Sequence, residues 1–417
     1  MIDIKLIREN PDYIKKALSK RKVDGKSIDN ILELDKVYRE NLTNLENLRA
    51  QLNKISKKVP KTDDKEPLLK QAQEIKKEIS ILEDKVSQIK EELDNLMYSL
   101  PNIPQEDVPD GGEDDFIELK KWGEPTKFDF AIKDHLDLGE ALDIIDVKRA
   151  TKVSGSRFYY LKGKGALLEF ALVNFIIDKA LKNNFIPVIP PVLIRYEIMK
   201  AMGYIDTPED LAERYFLEKD NLFLVGTSEQ SVGPMHKDEV FEKDDLPRRY
   251  IAFSSCFREE AGSYGKDIRG ILRVHQFDKV ELFSYALPEK SKEEHEFLVN
   301  FEESLWQDLK IPYRVLLLAS NDMSRPSSKT IDIEAWIPSQ NKYREVSSAS
   351  NTTDFQARRL NIKYKDEQNN LRFVHMLNAT GLPIGRTIIT IMENYQTKEG
   401  RIKVPDVLVK YLGFEII

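Results

Sequence analysis

The residues best suited to chemistry lie in one run, IAFSSCFREEAGSYGKDIRGILRVHQFDKVE, at residues 251–281. Strand side chains alternate with a period of two, so every second residue of a strand shares a face. Two such series flank a loop, namely Ala252, Ser254, Cys256, Arg258 and Glu260, then Arg273, His275, Phe277, Lys279 and Glu281. The loop contains Gly262, Gly265 and Gly270, which favours an antiparallel hairpin.

The charged face of this predicted hairpin is unusual for a structural element. A solvated polar face is common in antiparallel sheets and is the alternative interpretation. The opposite face also contains polar residues, among them Ser255, Gln276 and Asp278, so neither face has the composition of a core. Buried charges must be paired or must bind a ligand. The pattern therefore favours a ligand site with cations, acids and an aromatic ring.

The combination of FRxE, a glycine-containing loop and RVHQFxKVE resembles motif 2 of class II aminoacyl-tRNA synthetases, and its wording is similar to that of seryl-tRNA synthetases. FRxE alone is unspecific, whereas the combined run is specific. The resemblance implies that Arg258 holds the α-phosphate of ATP and that Arg273 holds an outer phosphate. It also implies that Glu260 contacts the adenine amino group, that Phe277 stacks on the base and that Glu259 belongs to the ATP site.

A second ATP-contacting segment is expected in TIDIEAWIPSQNKYREVSSAS, which has the pattern of two strands joined by a turn and is followed by a helix start. The residues that match family positions near ATP are Glu345, Val346, Ser347 and Ser348. Carboxylate and hydroxyl oxygens are suitable ligands for Mg²⁺. The resemblance therefore implies that Glu345 and Ser348 bind Mg²⁺ beside the ATP phosphates.

The segment LNATGLPIGRTIITIMENYQ resembles motif 3, and its composition predicts a turn-rich stretch leading into an amphipathic helix. Arg386 lies at the predicted helix start, where free N–H groups and the helix dipole favour phosphate. We expect Arg386 to act with Arg258 as a catalytic cation. Thr380 occupies a position at which the family often has serine, and it retains a hydroxyl.

The serine side of the site is less regular. Residues 201–235 depart from the family wording, and GTSEQS keeps only Thr227 and Glu229 of a Thr-x-Glu element, with Ser228 between them. On a strand these two residues would share a face, where a carboxylate beside a hydroxyl suits an ammonium group. The resemblance implies that they bind the serine ammonium. It also implies that Arg258 contributes to serine binding and that Glu281 and Thr380 bind the side-chain hydroxyl.

Composition limits the class of protein. The chain has 417 residues, 41% hydrophobic and 32% charged, with a net charge of −7, which fits a soluble protein of two or three domains. No long apolar run indicates a signal peptide or a membrane span. A single cysteine and five scattered histidines exclude a disulfide and give no zinc-ligand pattern. We therefore expect a cytoplasmic protein.

The N-terminal quarter has the pattern of a coiled coil. The second half of the tract has an apolar seam with steps of three and four, comprising Leu68, Ala72, Ile75, Ile79, Leu82, Val86, Ile89, Leu93 and Leu96. The first half has a similar seam, comprising Tyr38, Leu42, Leu45, Leu48, Leu52, Ile55 and Val59. Pro60 and Pro67 mark the turn between them. This predicts two antiparallel helices over about 28–97, in a domain over 1–108.

Such an arm is often a dimerisation or scaffolding device, but its tip is basic. Residues 51–77 contain eight lysines and four acids, a local balance of +4. Clustered lysines give sequence-independent affinity for phosphate backbones. The resemblance to the N-terminal domain of seryl-tRNA synthetases implies that the arm binds tRNA, and the candidate residues are Lys54, Lys57, Lys58 and Lys61.

A Pro-, Gly- and Asp-rich linker ends the arm and predicts a second domain over 109–417. Its segment NNFIPVIPPVLI resembles motif 1, which implies a homodimer with Pro191 at the interface. An edge-strand proline is the structural alternative.

The sequence thus predicts an α+β protein with an N-terminal two-helix coiled-coil arm and a class II catalytic domain, built on a central antiparallel β-sheet flanked by helices. The implied function is a serine–tRNA ligase that uses ATP and Mg²⁺, charges tRNA(Ser) and possibly tRNA(Sec), and has no membrane partner. Three alternatives stay open: an amino acid:carrier protein ligase, a class II enzyme for threonine or proline, and a catalytically silent RNA-binding protein. A threonine or proline enzyme would need an anticodon-binding domain, for which little sequence follows motif 3.

Overall fold

The computed structural model describes residues 1–261 and 269–417. The predicted loop glycines Gly262 and Gly265 lie outside the described residues, as does most of the loop itself. The chain divides into two compact units, Met1–Ile103 and Pro104–Ile417. This division precedes the predicted boundary at residue 108, because Val108 packs in the hydrophobic core of the second unit. No helix in the described ranges is long and apolar enough to cross a membrane.

The first unit is helical. Its elements are α1 (Ile4–Glu9), α2 (Pro11–Ser19), α3 (Gly25–Lys58) and α4 (Glu66–Ser99). Helices α3 and α4 contain 34 residues each, which corresponds to about 50 Å at 1.5 Å per residue. As predicted, Pro60 lies in the turn between them, and Pro67 lies in the first turn of α4, where a missing N–H costs nothing.

The apolar seam between α3 and α4 follows the predicted spacing. Leu45, Ile55, Ile75 and Ile79 are buried in one cluster. Near the end of α4 the seam shifts by one residue, since Met97 is buried and the predicted Leu96 is only partly buried. A straight helix of 3.6 residues per turn drifts against a strict heptad, which accounts for the shift.

The second unit is an α+β domain. Its helices are α5 (His135–Ala141), α6 (Val147–Ser154), α7 (Lys164–Leu181), α8 (Tyr196–Met202), α9 (Pro208–Ala212), α10 (Glu229–Val232), α11 (Ser291–Asp308), α12 (Phe355–Leu360), α13 (Ile384–Asn394) and α14 (Asp406–Leu412). Its strands are β1 (Ile117–Trp122), β2 (Ile145–Asp146), β3 (Tyr160–Leu161), β4 (Ile186–Val188), β5 (Leu193–Arg195), β6 (Phe216–Leu217), β7 (Leu222–Leu224), β8 (Val240–Phe241), β9 (Arg248–Phe257), β10 (Gln276–Ala286), β11 (Tyr313–Leu317), β12 (Lys329–Ile337), β13 (Lys342–Asn351), β14 (Lys363–Lys365), β15 (Leu371–Phe373) and β16 (His375–Pro383).

The central sheet has the strand order β1-β11-β12-β13-β16-β10-β9-β4. All of its neighbouring strands are antiparallel except β4 and β9, which are parallel. Helices α7, α11 and α13 pack on the sheet and share its main core, with Ile176, Leu305, Trp306 and Ile388 buried in one cluster with Leu282 of β10. The predicted fold class is confirmed, with one parallel edge pair added.

The predicted hairpin exists, but its strands are shorter than expected. Strand β9 ends at Phe257 and β10 begins at Gln276, so Arg258, Glu260, Arg273 and His275 lie beyond the strand ends. The alternation fails because the consecutive residues Ile271 and Leu272 are both buried in the core. Glu260 also has a φ of +53°, which a strand does not allow.

Two further expectations about local structure were wrong. The stretch before Arg386 is not rich in turns, because residues His375–Pro383 form β16 between β10 and β13. Thr227 and Glu229 are not on a strand, because Glu229 begins the short helix α10. The apolar residues of β16 are buried in two clusters, with Leu377, Ala379 and Leu382 in the main core and Met376 in a second one, as in a central strand.

One ion pair ties the chain after α8 to α12. Arg359 Nη1 lies 2.8 Å from Asp206 Oδ2, and both side chains are fully buried. Removing one partner of a buried pair leaves an uncompensated charge. We expect Asp206→Ala to lower the free energy of unfolding by about 3–5 kcal/mol, as measured by urea denaturation.

The matched control is Asp406→Ala, which removes the carboxylate of the exposed Lys310–Asp406 pair. Because water screens that pair, its loss should leave the urea midpoint nearly unchanged. Equal shifts in the two variants would contradict the importance assigned to the buried pair.

Candidate active site

A cleft opens where β10, β13 and β16 meet the start of α13. Its lining combines apolar residues with a few charged side chains, a combination that is common in small-molecule sites. It brings together most residues predicted to bind ATP, because its lining includes Arg258, Glu260, Arg273, Phe277, Glu345, Val346 and Arg386. Thr380, which was predicted to bind the serine hydroxyl, also lies in the lining. The lining also includes Lys279, which was not predicted as a site residue.

Arginines lie on two sides of this cleft. Arg386, in the first turn of α13, donates through Nη1 to the carbonyl oxygen of Glu345 at 2.8 Å and lies 3.2 Å from its Oε2. Arg258 has its guanidinium carbon 5.2 Å from the ring centroid of Phe277. This is the distance of a cation–π contact, so Arg258 lies over the ring on which adenine is predicted to stack.

The loop ends are linked to each other. Arg258 donates its backbone N–H to the carbonyl of His275 at 2.9 Å, which continues the pairing of β9 and β10 past the strand ends. Arg273 Nη1 donates to Glu260 Oε2 at 2.7 Å. This contact orients both side chains within the cleft, so Arg273 and Glu260 act as a unit.

The predicted ammonium-binding acid, Glu229, is buried beside the cleft. It accepts hydrogen bonds from the Tyr204 hydroxyl at 2.7 Å and from Gln356 Nε2 at 3.2 Å. Burial raises the pKa of Glu229 above its usual range, although these donors oppose the shift. Thr227 is near it, since its hydroxyl oxygen accepts from the backbone N–H of Glu229 at 3.3 Å.

Glu281 is the second buried acid of this region, and it lies opposite Thr380 in the register of β10 and β16. Its carboxylate forms an ion pair with Lys279 and a hydrogen bond with Thr227. Burial raises its pKa to about 7, against the opposing effect of Lys279. Glu229, Glu281 and Thr227 thus form one acidic group next to Thr380.

Of the residues predicted to bind ATP, Glu259, Ser347 and Ser348 do not line the cleft, and neither does Ser228 of the predicted serine side. The side chain of Glu259 hydrogen-bonds Tyr215. The hydroxyl of Ser347 accepts from Trp306 Nε1 of α11 at 3.2 Å, which directs it to the face of the sheet that the helix covers. Ser228 is fully buried at the start of α10.

Sequence analysis missed three residues that complete the acidic group. The alternation of side chains could have indicated Lys279 as a site residue, because Lys279 shares a strand face with Phe277 and Glu281. No sequence pattern could have indicated Tyr204 and Gln356, because only tertiary folding brings them to Glu229.

Comparison with known proteins identifies the family of the chain. A family model for the seryl-tRNA synthetase N-terminal domain matches residues 1–104, and a model for the class II tRNA synthetase core domain (G, H, P, S and T) matches residues 215–395. The serine–tRNA ligases of Thermobifida fusca and Fervidobacterium nodosum are 44% and 45% identical to the chain, with 100% of the chain and 99% of each relative covered.

Solved structures agree as well. The seryl-tRNA synthetase of Pyrococcus horikoshii, crystallised with ATP, has a TM-score of 0.93 at 40% identity and covers 100% of this chain and 99% of its own. The cytoplasmic serine–tRNA ligase of Naegleria fowleri, in complex with AMP, has a TM-score of 0.89 at 34% identity, with 100% and 98% covered. The chain belongs to the seryl-tRNA synthetase family. Full-length similarity, including the arm, disfavours the three alternatives considered from the sequence.

In this member of the seryl-tRNA synthetase family, the raised pKa of Glu281 predicts a pH effect. Below pH 7 its carboxyl is increasingly protonated, and it then accepts hydrogen bonds from a ligand less well. Serine affinity should therefore rise as the pH increases, by about tenfold between pH 6 and pH 8 when one proton must be lost. The measurement is the pH dependence of the KM for serine in pyrophosphate exchange.

Glu281→Gln is the control, because it retains the shape without the titration. It should weaken serine binding at every pH and flatten the pH profile. A profile as steep as that of the wild type would assign the titration to another group, such as Glu229.

Proposed function

We propose that this protein activates L-serine with ATP and transfers it to the 3′ end of tRNA(Ser), in the cytoplasm. One observation carries the proposal: buried acids suited to an ammonium and a hydroxyl adjoin a cleft whose walls carry Arg258, Arg273 and Arg386. Acids for the amino acid thus lie next to cations for a nucleotide phosphate chain. The ATP and AMP complexes of the two solved relatives support this use of the cleft.

In the first step, a serine carboxylate oxygen attacks the α-phosphorus of ATP and pyrophosphate leaves. Arg258 stabilises the negative charge that builds on the α-phosphate, while Arg273 and Arg386 bind the outer phosphates. Phe277 stacks on adenine, and Glu260 accepts from its amino group. In the second step, a ribose hydroxyl of the tRNA attacks the activated carbonyl. No protein nucleophile is required, so catalysis consists of positioning and charge stabilisation.

The residues around Glu345 suit Mg²⁺. Ser348 hydrogen-bonds Asp332 across the β12–β13 pair, and Asp332 Oδ1 is buried without a hydrogen-bond partner in the described part of the chain. Mg²⁺ is usually bound by one or two carboxylates together with substrate phosphates. Glu345 and Ser348 would hold the ion, which when bound neutralises phosphate charge.

Selectivity for serine follows from the polar groups at Glu281 and Thr380. A site built to bond a hydroxyl rejects a substrate that lacks it, by about 10⁴ to 10⁵, because the buried polar groups lose their partner. Alanine should therefore be a very poor substrate. Threonine must be excluded by the shape of the pocket.

The coiled-coil arm is proposed to bind tRNA. Lys54, Lys57, Lys58 and Lys61 are all exposed near its tip, and the match to the family N-terminal domain supports this role. Binding through clustered lysines weakens with salt. We include tRNA(Sec) in the proposal as a second tRNA substrate.

The two steps should separate in variants. Arg258→Ala should reduce serine-dependent exchange of pyrophosphate into ATP by at least about 100-fold, because it removes a cation at the reacting phosphate. Changing the four arm lysines to glutamate should leave this exchange unchanged and reduce tRNA(Ser) charging. Equal loss of both activities in the arm variant would refute the division between the units, and alanine and threonine serve as substrate controls.

A homodimer is proposed from an exposed apolar patch on the second unit. Its members are Leu167, Phe170, Leu181, Ile186, Ile189 and Leu193, which lie on α7, β4, β5 and the connection between the two strands. Single exposed apolar residues are normal, but six of them within residues 167–193 are more than scattered exposure and favour an interface. Pro191 is exposed within this region, as an interface residue would be in one protomer.

Ile189 is 89% exposed and is the residue of choice for a test. Ile189→Glu should convert the dimer to monomer in sedimentation velocity, because a carboxylate would be buried without a partner. Ile81→Glu is the matched control, since Ile81 is 70% exposed on the arm. A wild-type monomer, or a dimer unaffected by Ile189→Glu, would contradict the proposed interface.

A further inference from the structure

Arg214 lies between α9 and β6, in the segment that departs from the family wording. A Cβ added to Gly226 would lie 3.1 Å from Arg214 Nη1 and 3.7 Å from Arg258 Cγ. Arg258 also donates through Nε to the Gly226 carbonyl at 3.3 Å. Two arginine side chains therefore converge on one glycine, immediately before Thr227.

No acid forms a direct ion pair with Arg214 in the described part of the chain, although the charges of Asp210 and Glu213 partly oppose the lowering of its pKa. Its Nε is buried and has no hydrogen-bond partner among residues 1–261 and 269–417. A nearby acid, Asp210, caps α9 and lies 3.9 Å from Arg325 instead. Burial, and next the charge of Arg258, lower the pKa of Arg214. Arginine stays protonated in proteins, so a bound anion would complete the partial compensation that these acids give.

Arg214 also lies near the acidic group of Glu229, Glu281 and Thr227, to which Tyr204 links it. Its guanidinium carbon lies 5.4 Å from the ring centroid of Tyr204, whose hydroxyl donates to Glu229. Glu229 is the acid proposed to receive the serine ammonium. An α-amino acid carries its ammonium and its carboxylate on the same carbon, so its site needs an acid and a cation close together. Arg214 and Glu229 both contact Tyr204, and their charges interact, so together they meet this requirement.

We propose that Arg214 binds the carboxylate of L-serine beside Arg258. This inference rests on the proposed serine activation. One carboxylate oxygen attacks the α-phosphorus and forms the new P–O bond as pyrophosphate leaves. The other oxygen stays at Arg214 and becomes the carbonyl oxygen of the adenylate. A phosphate partner fits less well, because Arg214 is not among the residues that line the ATP cleft.

The test compares L-serine with L-serinamide, which keeps the ammonium and the hydroxyl but lacks the carboxylate. Isothermal titration calorimetry with the full-length protein gives both dissociation constants. Arg214→Met should weaken serine binding by about 10-fold to 100-fold, the value of a charge-assisted hydrogen bond. Serinamide binding should change less than about twofold, since a contact to the carboxylate is absent for it.

Two variants accompany this experiment. Arg214→Lys keeps the charge without the planar fork and should recover part of the serine affinity. Arg195→Met removes an arginine of β5 whose side chain is 75% exposed, and it should affect neither ligand. Circular dichroism of all variants reports whether the fold is retained.

The outcomes separate this inference from the proposed function. Equal weakening of serine and serinamide by Arg214→Met would assign Arg214 a structural role through Tyr204 and overturn the inference. A raised KM for ATP with unchanged serine affinity would move Arg214 to the phosphates and overturn it as well. Absence of serine binding and exchange in the wild type would overturn the proposed function itself.

Discussion

The site depends on two carboxylates, Glu229 and Glu281, that the fold buries next to each other. Buried charge is tolerated only with partners, and repulsion between two acids adds to the cost. Lys279, Thr227, Tyr204 and Gln356 supply part of the compensation from four different segments. The raised pKa of both acids indicates that this compensation is incomplete. A ligand ammonium would complete the compensation of this negative charge. The two acids therefore favour a cationic ligand group, and they also require the neighbouring hydrogen-bond donors that the fold supplies.

In the second unit, the paired strands and the segments beyond the strand ends suit different parts of the proposed ligands, the serine hydroxyl and the phosphate chain. Glu281 and Thr380 are held opposite each other by the register of β10 and β16, in the middle of the sheet. Groups on paired strands have little freedom, which suits the discrimination of a small hydroxyl. Arg258 and Arg273 lie beyond the strand ends and are positioned by hydrogen bonds to His275 and Glu260. A phosphate chain is larger and more adaptable, and cations on such segments can follow it.

Sequence patterns predicted the parts that repeat. The heptad pattern predicted α3 and α4, because apolar residues spaced three and four apart lie on the same face of a helix. It did not predict the shift of the buried position to Met97 near the end of α4. The catalytic fold came from the resemblance of its motifs, since no periodicity specifies an eight-stranded order. Strand alternation failed where the core overrides it: Ile271 and Leu272 are both buried although they are adjacent.

Residues 201–235 differ from the usual family sequence, and the contacts of the predicted serine side in this segment could not be predicted from local spacing. The difference in sequence is compatible with a retained binding site. Tyr204 meets Glu229, and Gln356 reaches the same acid from a position far along the chain, so neither neighbour leaves a trace in local spacing. The buried Asp206–Arg359 pair and the bond from Gln356 to the Met202 carbonyl fasten this segment to α12. Because α12 directly follows the sheet strand β13, these contacts position residues 201–235 relative to the sheet. Its side chains can therefore differ from the family wording while still surrounding the same carboxylate.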